Sequence, residues 1–147
     1  MSWKWGVHED AGSTALNGAK VEVPANRIFH ILSVWISLTT SDSAGDRVAH
    51  LGVYDSGDSL IMEFMTPAPV LAASGVQRFM FASGMQMPST EVIDTDYFTG
   101  PLPSPFLLGA GHYLRVIDAS SVDNDSDIWK MVVTANSKGA GYIAPAA

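Results

Sequence analysis

Cysteine is absent from the 147 residues. Disulfide staples, zinc–thiolate sites and cysteine nucleophiles are therefore excluded, and stability has to come from packing. Positive charge is scarce: Lys and Arg total 8 against 15 Asp and Glu, a net charge of −7. Those few cations are scattered, so neither nucleic acid nor an anionic membrane surface is an expected partner. Long apolar runs are missing too. The longest, over residues 28–38, contains His30 and Ser33 and falls far short of the ~20 residues of a membrane-spanning helix. The segment from Met1 to Asp10 has no basic start followed by an apolar stretch, so no secretory signal is expected. A soluble product of a cytoplasm is the expectation.

Hydrophobic residues make up 47% of the chain and charged residues 16%, a balance that suits a folded domain rather than disorder. A chain of this length is expected to form one domain and to bury roughly two-thirds of its surface. Apolar residues recur with period two, and helical periodicity is missing. Over residues 27–39 the even positions Ile28, Leu32, Val34, Ile36 and Leu38 predict one apolar face. Arg27, Phe29, Ile31, Ser33, Trp35 and Ser37 predict a mixed one. Further strands are expected over 20–23, 47–55, 59–65, 77–82, 91–98, 111–119 and 127–136. Gln77, Phe79 and Phe81 are expected on one side of theirs. Asp55-Ser56-Gly57-Asp58 predicts a tight turn in which Gly57 takes the positive φ. Only residues 70–73 suit a helical turn, hemmed in by Pro67 and Pro69.

About eight strands separated by Gly, Pro and Asp turns predict an all-β fold, a two-sheet antiparallel sandwich of jelly-roll or Greek-key type. Residues 1–19 and 137–147, rich in Gly, Ser and Ala, are expected to be a flexible N-terminal arm and a flexible C-terminal tail around a sandwich of residues 20–136, or equally arms that order against a neighbour.

Chemistry is hard to place on this pattern. His8, His30, His50 and His112 are not spaced to converge on a metal from one strand face. Core or edge positions are expected for His30 and His50. Asp118 and the run Asp123-Asn124-Asp125-Ser126-Asp127 begin like a calcium loop, but Ile128 stands where Gly is needed and Thr134 where Glu is needed. A solvated loop explains the same residues. No Gly-x-Ser-x-Gly elbow occurs. Glu22, Glu63 and Glu91 are the glutamates in expected strands. Gly139-Ala140-Gly141 opens no helix that would cradle phosphate. No enzymatic activity, cofactor or metal is expected. The aromatic and Met residues Trp3, Trp5, Met80, Met85, Met87, Phe98 and Phe106 are the candidates for a partner interface. Core or loop anchoring, or a platform for sugar rings, are the alternatives for the same side chains.

Gly109-Ala110-Gly111-His112-Tyr113-Leu114-Arg115-Val116-Ile117-Asp118 resembles a segment of small virion proteins of tailed bacteriophages. There a Gly-containing turn leads into a Leu-Arg-Val-x-Asp strand, then an acidic loop and an apolar last strand such as Met131-Val132-Val133. The resemblance extends over residues 27–136. It implies a jelly-roll protein of the capsid decoration or cement kind, assembled in the host cytoplasm and carried on the outer capsid surface. Its implied partners are the major capsid protein and further copies of itself, trimers favoured over dimers. The alternative is a tail or fibre head that binds a receptor glycan through loops at residues 55–58 and 118–127.

Overall fold

The computed structural model describes residues 2–14, 18–43, 47, 49–65, 75–84, 97–118 and 126–140, and every element among them is a strand. The order is β1 (Lys4–Thr14), β2 (Ala19–Glu22), β3 (Arg27–Thr39), β4 (Ala49–Tyr54), β5 (Leu60–Met65), β6 (Val76–Ala82), β7 (Tyr97–Pro101), β8 (Leu107–Leu108), β9 (Tyr113–Asp118) and β10 (Ile128–Gly139). One sheet runs β1-β10-β3-β6-β7, with β8 pairing β3 off that path, and the other runs β2-β9-β4-β5. Among the described strands, only β6 and β7 pair in parallel. Four of the antiparallel ladders are nested: β4 with β5, β3 with β6, β2 with β9 and β1 with β10. Each pair encloses the one before it and lies in the opposite sheet. That winding is a jelly roll.

Apolar residues fill the space between the sheets. Val34, Ile36, Leu38, Trp129, Met131 and Val133 come from one side, and Leu51, Val53, Leu114 and Val116 from the other, all buried. Gln77, Phe79 and Phe81 share the inner face of β6 as expected. The alternation in β3 breaks, however. Thr134 pairs with Ser33 and Ala135 with Ile31, so Leu32 is an extra residue with no partner on β10. One extra residue reverses the phase of everything before it. Phe29 and Ile31 are therefore buried, against the expected odd-out assignment, and His30 moves to the outer face.

Both ends are more ordered than the composition predicted. Within the expected N-terminal arm, Lys4–Thr14 is a strand, paired with β10 from Lys4↔Ser137 to Thr14↔Ile128. Within the expected tail, β10 continues to Gly139, and Ala140 N donates to Asn26 O at 2.8 Å. Main-chain pairing needs no apolar side chain, and Gly6 and His8 on the inner side of β1 gave no hydrophobic signal. Residues 141–147 and 70–73, and most of the expected strand at 91–98, lie outside the described residues.

The β4–β5 turn also differs from expectation. Asp58, at φ 65°, takes the left-handed conformation in place of Gly57. Asp tolerates that region because its short side chain bonds locally. Asp55 Oδ1 accepts from Gly57 N at 2.8 Å and from Ser59 N at 2.9 Å.

Candidate interaction surface

The outer face of the larger sheet follows from its register. One cross-strand row is Trp5, Asn136, His30 and Leu107; the next is Val7, Thr134, Ser33 and Ala82; a third is Glu9, Val132, Trp35, Met80 and Thr99. Alternation turns these side chains away from the core. Trp5 is 64% exposed, Val7 50%, Trp35 45% and Leu107 54%. Val132 and Met80, half-buried, flank Trp35 in the third row, and Asn136, His30, Thr134 and Ser33 lie between Trp35 and the other exposed apolar residues. Charged residues stand at the margin, with Glu9 at the open edge and Lys130 and Arg78 one row further along the strands.

Trp35 is held in place. Its Nε1 donates to Ser33 Oγ at 2.9 Å, and the Ser33 hydroxyl also bonds that of Thr134. The indole N–H is thus satisfied within the sheet, and the ring offers solvent an apolar surface that needs no polar partner. Trp3 stands beside the first row, edge-on to His30 with ring centroids 6.2 Å apart, and Lys138 Nζ lies 4.6 Å from its centroid.

Of the side chains named from sequence, Trp3, Trp5 and Met80 lie on this face, with Met80 three strands away from Trp5. Phe98 stacks on Phe79 at 5.8 Å and packs against the core. Phe106 is buried, edge-on to Phe64 at 5.9 Å, so it serves the core and is unavailable to a partner. Met85 and Met87 lie outside the described residues. Sequence reasoning missed Val7, Trp35, Val132 and Leu107. The available signal was a Trp set among serines on the polar side of β3.

The outer face of the smaller sheet carries an internally bonded set of polar side chains, with exposed Leu60 of β5 beside Tyr54. Tyr54 and Tyr113 stack at 5.0 Å, Lys20 Nζ lies 4.1 Å from the Tyr113 ring centroid, and Tyr113 Oη donates to Asp58 Oδ1 at 2.8 Å. Burial, followed by that hydrogen bond, pushes the Tyr113 phenol up to about 12. His50 Nδ1 meets Glu63 Oε1 at 2.6 Å.

The acidic loop shows a different surprise. Asp127, expected in a solvated loop, is fully buried against an equally buried Arg47. Arg47 Nε donates to Oδ2 at 2.8 Å and Nη2 to Oδ1 at 3.0 Å, while Ser41 N donates to Oδ1 at 2.8 Å. This carboxylate is a staple between β10 and the segment leading to β4. Residues 119–125 lie outside the described residues. Among the described residues no three acidic or histidine side chains gather to hold a metal ion.

The sequence matches no family model and no curated protein. Among solved structures, the chain is similar to a carbohydrate-binding module from a glycoside hydrolase family 9 protein of Ruminococcus flavefaciens, with 12% identity over 88% of this chain and 97% of that one, at TM-score 0.38. It is similar to the coat protein of Tobacco streak virus, with 11% identity over 97% and 89%, at TM-score 0.37. Latent PorU from Porphyromonas gingivalis shows 13% identity over 97% of this chain, which spans only 13% of that one, at TM-score 0.45. With each of these TM-scores below 0.5, it is the nested pairing of this chain's own strands that assigns the jelly roll.

Proposed function

We propose that this jelly roll is a non-enzymatic structural virion protein that oligomerises and binds the major capsid protein, reinforcing the outer surface of a phage head. The observation that carries the reading is the outer face of the larger sheet, where Trp5, Val7 and Leu107 stand exposed together with Trp35, which Val132 and Met80 flank. Exposed aromatic and aliphatic side chains on one face, with polar Asn136, Thr134 and Ser33 among them and charge kept to the margin, suit a protein-binding patch. An acidic chain of net charge −7 suits a shell exterior that must not hold the packaged genome. The reading involves no cofactor, nucleic acid or membrane. The receptor-glycan alternative draws on the loop carboxylates, yet Asp55, Asp58 and Asp127 each accept hydrogen bonds from within the chain.

Co-sedimentation with heads of the encoding phage tests it. Trp35→Glu is expected to weaken attachment about tenfold or more, the usual scale for losing a tryptophan anchor, with the β-sheet circular-dichroism spectrum unchanged. Undiminished attachment of that variant sinks the assigned face. Binding of the wild type to glycans, with none to heads, replaces the reading with receptor recognition.

A further inference from the structure

The larger sheet ends on β1, whose far side pairs with no described strand. Edge strands invite further pairing, and folded proteins blunt them with prolines, bulges or short length. The other edges follow that practice: β2 has four residues, β5 has six with a register shift against β4, and β7 has five and ends on Pro101. β1 has eleven residues and no proline, and although its register shifts between Asp10 and Ser13, the ladder is regular over the seven residues from Lys4 to Asp10.

We propose that residues 4–10 of β1 pair antiparallel with the same residues of a second copy, about a two-fold axis through Val7. This deepens the assembly reading above by naming the edge through which copies join. A two-fold contact requires a self-complementary surface, and the sequence Lys4-Trp5-Gly6-Val7-His8-Glu9-Asp10 meets that demand in one register. With Val7 opposite Val7, Lys4 stands opposite Asp10 twice, Trp5 opposite Glu9, and His8 opposite Gly6, which has no side chain to obstruct the imidazole.

Shifting the axis by one residue spoils the match. Centred on Gly6, Lys4 faces His8; centred on His8, two imidazoles face each other and Asp10 faces Gly6. Parallel pairing in register sets like charges together, which is unfavourable across strands. The cation at one end and the two carboxylates at the other therefore select the antiparallel arrangement. They also offset locally the repulsion between two chains of net charge −7. Because the residues of each opposed pair have the same parity, the outer faces join. Trp5, Val7 and Trp35 of both copies then lie on one continuous sheet surface.

Charge reversal combined with mixing tests the register. Lys4→Glu alone sets an introduced glutamate against Asp10 twice, and Asp10→Lys alone sets an introduced lysine against Lys4 twice. Each variant is expected to weaken self-association about tenfold or more. An equimolar mixture of the two restores an opposite-charge match at both ends and is expected to pair as tightly as the wild type. Sedimentation velocity reads the outcome as one or two copies of the 15.7 kDa chain. A wild type that stays single, one that forms trimers, or charge variants that pair unchanged each overturn the proposal.

Asp10 Oδ2 also accepts from Lys20 N at 3.0 Å, so a second measurement guards against misfolding of the Asp10 variant. In this cysteine-free chain, Val7→Cys places one thiol on the axis and is expected to give a covalent two-copy species on mild oxidation. Val76→Cys, exposed on β6, is not. Equal crosslinking at both positions overturns the two-fold axis. Retained head attachment by a chain that never pairs overturns this inference alone, and pairing without head attachment overturns only the shell reading.

Discussion

Arg47 and Asp127 concentrate electrostatic cost at one point. Two fully buried charges lose their hydration. The loss is offset because the guanidinium fork donates two bonds to the carboxylate, one to Ser43 O at 2.8 Å and one to Ser41 Oγ at 3.2 Å, and the carboxylate also accepts from Ser41 N. Removing one partner leaves the other charged and dry. Asp127→Asn or Arg47→Met is therefore expected to cost about 3–5 kcal/mol in urea unfolding, the range for a broken buried pair. Replacing both with apolar residues is expected to cost markedly less than either change alone, because no orphan charge remains. Equal losses in all three variants would refute that account. His8 carries a milder linkage. Burial first, and Arg27 second, hold its imidazole below the usual 6.5. Under that value the unfolded chain binds more protons than the folded one, so the contribution of His8 is present above 6.5 and fades as pH drops. The stability advantage of wild type over His8→Gln is expected to shrink between about pH 7 and pH 5; an advantage independent of pH contradicts it.

At the scale of elements, the bulge in β3 decides which side chains reach the core. Leu32 has no partner on β10, and its presence brings both Phe29 and Val34 inward. Deleting Leu32 makes the ladder continuous while Ile31 and Phe29 keep facing in, so this variant is expected to fold, with only a modest loss in melting temperature. Deleting Ser37 reverses every residue on one side of the cut, driving Trp35 inward and Val34 and Ile36 out, and is expected to abolish cooperative unfolding. The pair of deletions, compared by thermal melts, checks the assignment; comparable behaviour in both counts against it. The same element logic makes β1 an integral strand. Removing it strips β10 of its neighbour along the whole ladder from Thr14↔Ile128 to Lys4↔Ser137.

The whole molecule is a set of nested pairs, and nesting has a kinetic consequence. β4 and β5 meet across a short turn, whereas β1 and β10 join nearly the two ends of the chain. Closing a long loop costs more entropy than closing a short one, so the inner pair is favoured early and the outer pair late. In stopped-flow chevrons, Leu51→Ala in β4 is expected mainly to slow folding. Val133→Ala in β10, at the outer ladder, is expected mainly to speed unfolding. The opposite partition rejects an inside-out order.

The sequence alone determined the all-β class, most strand positions and the inner face of β6, because each rests on local alternation and turn chemistry that neighbouring residues carry. It also marked Trp3, Trp5 and Met80, whose residue types are informative wherever they sit. Tertiary structure alone decided the rest. Whether β3 stays in phase depends on its partner's register, and β10 imposes the bulge from about a hundred residues away. Whether the N-terminal segment is an arm or a strand depends on main-chain bonds to that same distant partner, which leave no trace in side-chain hydrophobicity. Whether Asp127 meets water or Arg47, and whether Trp35 faces the core or solvent, are likewise set by residues brought together only when the nested strands close. Local pattern fixes what each strand is; non-local pairing fixes which way its side chains point.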